Sequence, residues 1–306
     1  MPDQAVGLRR MAAGTLQQPS EDNFSIPCAV NRLIAETQPR HCGKTICVTS
    51  GKGGVGKTQV SVNLGITLAR TGKRVILIDA DLGMANVDVA LGLRSEYHLR
   101  HVITGQKTLA QIMIPGPGGI KIIPAASGIE MMANLDAAGL QMLNKAFLSI
   151  ENKYDYLIID TGAGLSRTVT NFIKSADHTL IVTAPEPAAI VDAYAVIKVA
   201  CKYKKAPPGL FMNMSSEQNA LNYYKKLDIL VKNFLKYNIK YHGHAPVDKN
   251  LKSCIMDQRA IVDHMPHSAF SRMIKLLAAK VGGNIAQNYS LNNGFFNRFL
   301  GIFNGR

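Results

Sequence analysis

The sequence predicts an α/β fold, with a doubly wound, mostly parallel sheet of about seven or eight strands and helices on both faces. Short apolar runs alternate with longer helical patterns from residue 44 to residue 283, which is typical of a sheet built from β-α-β units. A glycine-rich segment lies between the first apolar run and the first helical pattern. Polar residues follow several other runs directly, and ligands of such sheets bind at the carboxyl ends of the strands.

The predicted strands are short, apolar and followed by turn-forming or acidic residues; they are 45–49, 74–79, 120–124, 156–160, 179–183, 209–213 and 241–244. The clearest predicted helices are 59–71, 137–151, 186–201, 217–237 and 268–281. Residues 1–11 predict a short helix, and residues 12–43, which hold three prolines, predict a flexible linker. Residues 44–283 then form one α/β domain, and residues 284–306 a second linker with a C-terminal helix.

Composition limits the classes of function. The chain has 306 residues and a formal net charge of +14, and between residues 198 and 240 nine lysines stand against Glu217 and Asp228. Such a face meets nucleic acid or anionic lipid in some proteins, but most often it is only solvated. Five cysteines without a Cys-x-x-Cys pair predict neither disulfides nor a metal site. With no apolar run of 18 residues and no secretory signal, we expect a cytoplasmic protein.

The segment from Thr49 to Thr58 has the spacing and the context of a phosphate-binding loop. Glycines let the backbone curl around phosphate oxygens, and the turned N–H groups and the helix N-terminus face the anion together. Lys57 should reach the β- and γ-phosphates, and the Thr58 hydroxyl should coordinate Mg²⁺. We therefore predict a nucleoside triphosphate site formed by Gly51, Lys52, Gly53, Gly54, Val55, Gly56, Lys57 and Thr58.

A second lysine, Lys52, directly follows the first glycine of this loop. It stands too early in the loop to be needed for the γ-phosphate that Lys57 already serves. It has the position to reach a phosphate held by a second subunit across a two-fold axis, like an arginine finger supplied in trans. The alternative is a solvated loop lysine.

Aspartates end two of the predicted strands beside this loop, and a third lies two residues further on. Mg²⁺ prefers oxygen ligands and keeps several waters, so Asp160 is predicted to hold the metal shell and Asp79 to support it. Asp81 would orient the attacking water. The alternative is that these aspartates only cap helices or start turns.

Residues 45–281 resemble the MinD/ParA class of deviant Walker A ATPases. Lys52 matches its signature lysine, Asp79-Ala80-Asp81 its switch I with the second aspartate catalytic, and 160–164 its switch II. The resemblance implies ATP and Mg²⁺ as cofactors and a homodimer on ATP binding. It also implies that Asn213 contacts the adenine edge and that the loop of Pro246, Val247 and Asp248 packs on the base.

The N-terminus resembles the flagellar members of this class, known as FlhG, FleN or YlxH. It carries their Asp-Gln-Ala-x-x-Leu-Arg element, at Asp3, Gln4, Ala5, Leu8 and Arg9. In that family the element is a helix that stimulates an FlhF-type GTPase. The resemblance implies a switch for flagellar number and placement, with flagellar switch or regulatory proteins as further partners. So short an apolar stripe should fold only on its partner.

The C-terminus carries a double stripe of apolar residues at helical spacing: Phe295, Phe296, Phe299, Leu300, Ile302 and Phe303. An aromatic amphipathic segment with a basic residue suits an anionic membrane surface, and the family uses such a helix after ATP has released it. We therefore expect peripheral attachment to the inner face of the cell membrane in the ATP-bound state. The alternative is a terminal helix that is docked on the protein core.

Three other functions stay open at this point. A ParA-like partition ATPase would use the lysine-rich face to bind DNA, which the sequence allows but does not favour. A MinD-like division-site regulator shares the core motifs but not the N-terminal element. A nucleotide-gated scaffold would bind ATP and hydrolyse almost none of it.

Overall fold

An eight-stranded sheet forms the centre of the computed structural model, which describes residues 43–81, 87–125, 137–151, 153–203, 206–284 and 294–304. The strands are β1 (Lys44–Ser50), β2 (Val75–Ala80), β3 (Ile114–Pro115), β4 (Lys121–Pro124), β5 (Tyr156–Ala163), β6 (His178–Thr183), β7 (Gly209–Met212) and β8 (Lys240–His244). The predictions for residues 1–42, including the partner residues Asp3, Gln4, Ala5, Leu8 and Arg9, lie outside the described residues.

The strand order is β3-β4-β2-β5-β1-β6-β7-β8, and every pair except β3 and β4 is parallel. The predicted doubly wound fold is thus confirmed. Strand β1 lies between β5 and β6, and β2 lies on the far side of β5. The carboxyl ends of β1, β2 and β5 therefore meet at one edge of the sheet, where we expected the site.

Helices cover both faces of the sheet. They are α1 (Lys57–Ala69), α2 (Val87–Ala90), α3 (Leu99–Ile103), α4 (Leu109–Ile112), α5 (Ala137–Glu151), α6 (Arg167–Ser175), α7 (Pro187–Tyr203), α8 (Glu217–Leu230), α9 (Lys249–Met256), α10 (Ile261–His264), α11 (Ala269–Asn284) and α12 (Phe295–Asn304). Successive side chains of a strand point to opposite faces. Ile46 and Val48 accordingly join one apolar cluster, whereas Cys47 joins the other.

The helix predicted over 217–237 is shorter than expected. It ends at Leu230 and continues as one π-helical turn, Val231–Leu235, which closes at Lys236 with φ 54°. Val231 is fully buried, but Phe234 is 73% exposed. The sequence remains apolar every three or four residues through this turn, so hydrophobic periodicity alone could not reveal the wider winding.

The C-terminal helix α12 is docked on the protein, which is the alternative that the sequence left open. Phe295, Phe296, Phe299 and Leu300 are all at most 3% exposed. The Phe296 ring stacks on Phe147 of α5 at 4.0 Å between centroids, and Phe299 stacks on Phe172 of α6 at 4.6 Å.

The aromatic side chains of α12 fit a groove between α5 and α6. The predicted lipid contact belongs to the ATP-bound state, so this docked conformation does not test it. Ile302 is only partly buried, and the side chain of Phe303 lies outside the described residues. Membrane contact stays a prediction that requires the helix to undock. Within the described part of the chain, every helix is too short or too polar to cross a membrane.

Candidate nucleotide-binding site

The loop between β1 and α1 has the backbone shape that its glycines predict. Gly54 and Gly56 have φ of 79° and 82°, a left-handed region that L-residues with a Cβ rarely enter. A Cβ on Gly56 would also lie 2.3 Å from Nδ2 of Asn213. Conformation and space both require glycine at position 56, and α1 begins at the next residue, Lys57.

Asn213, directly after β7, holds this loop through a hydrogen bond. Its side-chain amide donates a hydrogen bond to the carbonyl of Val55 at 2.9 Å, and its backbone N–H donates to the carbonyl of Thr183 at 2.8 Å. The residue is 1% exposed. The sequence indicated a strand end here but gave no signal for this contact across 158 residues. The predicted adenine contact of Asn213 stays a prediction.

Asp160 is the hub of the site. Its carboxylate accepts hydrogen bonds from the hydroxyls of Thr58 (2.7 Å) and Ser61 (2.9 Å) and lies 3.2 Å from Nζ of Lys57. Asp160 is 0% exposed, and the Lys57 side chain is 8% exposed. A buried carboxylate is stable only with such partners. Sequence reasoning missed Ser61, although its spacing of four residues from Lys57 places both on one face of α1.

The donor set around Asp160 fits a hard divalent cation. The Thr58 hydroxyl and the Asp160 carboxylate adjoin each other at the start of α1, and both supply oxygen, which Mg²⁺ prefers. Asp79 pairs with Asp160 in the β2–β5 register. Its two carboxylate oxygens accept the backbone N–H groups of Asp81 (3.4 Å) and Val87 (3.1 Å). These contacts hold the chain after β2, so the predicted metal role of Asp79 stays a prediction.

Asp81 lines the same cavity as Lys57 and Thr58, and the volume of this cavity is about 590 Å³. Its Oδ1 lies 3.3 Å from the position that a Cβ on Gly162 would occupy. A side chain at residue 162 would therefore crowd this carboxylate. The structure thus brings Asp81 together with Lys57, the predicted phosphate ligand, and Thr58, the predicted Mg²⁺ ligand, as the motif order predicts.

Lys52 lies elsewhere. The cavity is lined by its neighbours Gly53 and Gly54, but Lys52 is not among the described lining residues. Its Nζ instead lies 2.5 Å from Oε2 of Glu186, which directly precedes α7. The two side chains are 39% and 58% exposed. The lysine at the signature position is therefore paired with Glu186 and does not line the phosphate cavity.

The loop after β8 is held by Asp248. Its carboxylate caps α9 through the N–H of Asn250 (3.0 Å) and accepts the N–H of Phe270 (3.0 Å). Burial alone would raise the pKa of Asp248, but these hydrogen bonds outweigh burial and lower its pKa. The described contacts of Asp248 are thus structural, whereas Val247 is 75% exposed and Pro246 partly exposed. The predicted base contact of Pro246 and Asp248 stays a prediction.

Comparison with known proteins agrees with this geometry. A family described as an AAA domain matches residues 43–207. The antiactivator FleN of Pseudomonas aeruginosa is 41% identical over 243 residues, which cover 79% of this chain and 87% of that protein. The flagellum site-determining protein YlxH of Helicobacter pylori is 33% identical over 240 residues, which cover 77% and 80%. The chain belongs to the FleN/YlxH family of MinD-like ATPases.

Solved structures extend the likeness of this FleN/YlxH-family chain to the fold. The MinD cell division protein of Aquifex aeolicus has a TM-score of 0.63 at 28% identity, over 79% of this chain and 98% of that chain. MinD of Pyrococcus horikoshii, solved in complex with Mg-ADP, has a TM-score of 0.63 at 25% identity, over 80% and 100%. The chain is thus an ATPase of the MinD type, as its loop predicts.

Proposed function

We propose that this ATPase is a dimerising switch that regulates the number and placement of flagella. One observation carries the switch part of this proposal: Lys52 pairs with Glu186 and does not line the cavity, whereas Lys57 and Thr58 line it and contact Asp160. A lysine so placed fits a phosphate held by a facing subunit. The flagellar part is supported by the likeness to YlxH and by the residues of the N-terminal element.

Each site residue has one role in this proposal. The glycine loop and Lys57 bind the phosphates of ATP, and Thr58 and Asp160 hold Mg²⁺, which neutralises charge on the phosphate oxygens when bound. Asp81 orients the attacking water from the same cavity. Hydrolysis then returns the dimer to monomers. ATP turnover is slow, because hydrolysis sets the lifetime of the dimer.

The two ends of the chain convert this cycle into an output. The element from Asp3 to Arg9 stimulates an FlhF-type GTPase, and α12 leaves its groove to bind an anionic membrane when the dimer forms. One such helix binds lipid weakly, so two helices on one dimer provide stable anchoring. ATP, dimerisation and membrane residence are thereby coupled.

The deciding experiment measures molar mass by light scattering with ATP and Mg²⁺. We expect Lys52→Ala and Lys57→Ala to remain monomeric and Asp81→Ala to accumulate as a dimer. Lys153→Ala, an exposed lysine at the other edge of the sheet, removes the same charge and should dimerise normally. Dimers of Lys52→Ala would overturn the role in trans, and normal dissociation of the Asp81→Ala dimer would overturn the catalytic role.

The flagellar part is tested separately by GTP hydrolysis of an FlhF-type partner with a peptide spanning residues 1–20. Stimulation should be lost on changing Gln4 or Leu8, and a peptide with Gln17→Ala serves as a control outside the element. A wild-type peptide without effect would contradict this part and leave the ATP switch intact.

A DNA-partition role is the second candidate, because the lysines of α8 and of the π-helical turn form an exposed face: Lys225, Lys226, Lys232 and Lys236. Binding to phosphates releases counterions, so DNA affinity from this face would fall steeply with salt. ATP-dependent DNA binding that Lys225→Ala and Lys226→Ala together weaken would favour this role over the flagellar one.

A further inference from the structure

The signature lysine, Lys52, has an ionic partner inside its own subunit. Glu186, whose Oε2 lies 2.5 Å from the ammonium group, stands between β6 and α7. Its main-chain carbonyl accepts the N–H of Ile190 at 3.0 Å, so Glu186 occupies the N-terminal end of α7. Both side chains are partly exposed, so the ammonium group can change partners without being taken out of water.

The main chain just before Lys52 packs against the same helix, and that of Lys52 itself is held by a hydrogen bond. A Cβ on Gly51 would lie 2.3 Å from the carbonyl carbon of Asp192 in α7, so the loop backbone and the helix are in close contact. The Ser50 hydroxyl donates to the carbonyl of Lys52 at 3.0 Å. Any change of partner by Lys52 is therefore a movement of its side chain.

We propose that Glu186 is a positioning residue that holds Lys52 in the single subunit and competes for it with the phosphate of a facing subunit. This inference rests on the proposed function, in which Lys52 acts in trans. The ammonium group must leave the carboxylate before it can bind that phosphate. The pair thus sets how much ATP is needed before two subunits associate.

The position of Glu186 makes this exchange easy to reverse. When Lys52 leaves, the carboxylate stays at the N-terminus of a 17-residue helix, whose dipole stabilises a negative charge. When the γ-phosphate is hydrolysed and lost, the carboxylate is again the stronger local anion and recaptures the lysine. Glu186 therefore favours the separated subunits after hydrolysis.

The test compares the ATP concentration at half-maximal dimerisation between variants, followed by light scattering in low salt. An exposed ion pair is weak, so Glu186→Gln should lower this threshold by about two- to fivefold. Glu186→Asp keeps the charge and should stay within about twofold of the unchanged chain. The matched control is Glu217→Gln, which removes an exposed carboxylate from the first turn of α8.

Salt separates an ionic role from a merely structural one. Because salt screens exposed charges, the difference between Glu186→Gln and the unchanged chain should shrink as ionic strength rises. An unchanged or raised threshold in Glu186→Gln, or one equal to that of Glu217→Gln, would overturn the inference. Dimerisation of Lys52→Ala would instead overturn the proposed function, so the two failures are distinguishable.

Discussion

Arg298 of α12 and Asp177, the residue before β6, join the C-terminal helix to the central sheet. The guanidinium Nη2 lies 2.5 Å from Oδ1 of Asp177, and Nε donates to the carbonyl of Ser175 at 2.8 Å. The other oxygen of Asp177 accepts the backbone N–H of Thr45 at 2.8 Å. Thr45 belongs to β1, the strand that leads into the phosphate loop, so one carboxylate contacts both the tail and that strand.

We expect Arg298→Leu to loosen the docking of α12. Charge-assisted hydrogen bonds of this kind contribute about 1.5–3 kcal/mol, and the Asp177 carboxylate would lose its partner on α12. Limited proteolysis of the nucleotide-free protein should cut the tail faster, and liposome binding should no longer require ATP. Arg272→Leu, on α11, is the control. Equal cleavage rates in both variants would show that the ion pair does not hold the helix.

Phe299→Ala separates docking from lipid binding. The Phe299 ring is 2% exposed and stacks on Phe172, and truncation of a buried Phe usually costs about 3–5 kcal/mol. Because α12 stacks its rings on α5 and α6 and contributes no strand to the sheet, we expect it to undock while the sheet stays folded. In the proposed membrane contact the same ring enters the lipid, so Phe299→Ala should weaken liposome binding, in contrast to Arg298→Leu. Stronger liposome binding by Phe299→Ala would contradict lipid contact by this face.

Gly56→Ala should abolish ATP binding. The φ of 82° and the contact at 2.3 Å with Asn213 leave no room for a methyl group without a shift of the loop. A fluorescent ATP analogue measures the loss, and circular dichroism checks the fold. Gly301→Ala, at a helical position with no atom within 4 Å, is the control and should bind normally. Near-normal affinity of Gly56→Ala would mean that the loop conformation is not required.

Ser61→Ala should destabilise the nucleotide-free protein by about 1–2 kcal/mol, because the buried Asp160 carboxylate loses one hydroxyl donor and keeps the Lys57 ammonium group and the Thr58 hydroxyl. Urea unfolding measures the change. Ser149→Ala removes an exposed hydroxyl bonded only to its own helix and should be neutral. Equal urea midpoints for the two variants would show that Ser61 does not stabilise the Asp160 carboxylate.

His242 predicts how the stability depends on pH. Burial, then the charges of Lys280 and Lys240, lower the pKa of His242 to about 4 from an unfolded value of 6.5. The unfolded state therefore takes up a proton below pH 6.5, whereas the folded state does so only near pH 4. The neutral His242 therefore contributes on the order of 3 kcal/mol to the free energy of unfolding. This contribution is complete above pH 6.5 and is lost as the pH falls from 6.5 to 4.

Urea unfolding of His242→Leu at pH 7 and pH 5 measures this contribution. The variant should lose less stability over that interval than the unchanged chain does. His267→Leu, which changes an exposed histidine for comparison, should leave the pH dependence as it was. An identical loss of stability between pH 7 and pH 5 in His242→Leu would show that another group causes the pH dependence.

The sequence predicted the sheet and the proximity of the glycine loop to the aspartates, because both depend on local pattern. The apolar runs show where each strand ends, and those ends place Asp160 and Asp81 beside the loop. The contacts of Asn213, Ser61 and Glu186 could not be predicted, because they join segments that are distant in the sequence. The residue types alone are common in turns and on surfaces. The docking of α12 could not be predicted for another reason, because an aromatic stripe suits a protein groove and lipid equally well. The choice depends on the rings of Phe147 and Phe172, on which the helix stacks.

The groove under α12 has a consequence of its own. Departure of the helix uncovers not only the tail but also the rings of Phe147 and Phe172, so two apolar surfaces appear in one movement. In the proposed membrane-bound state the rings of the tail enter the bilayer, whereas those of Phe147 and Phe172 stay exposed to water. A copy that lost its tail to proteolysis would expose this apolar groove permanently, and exposed apolar patches promote aggregation.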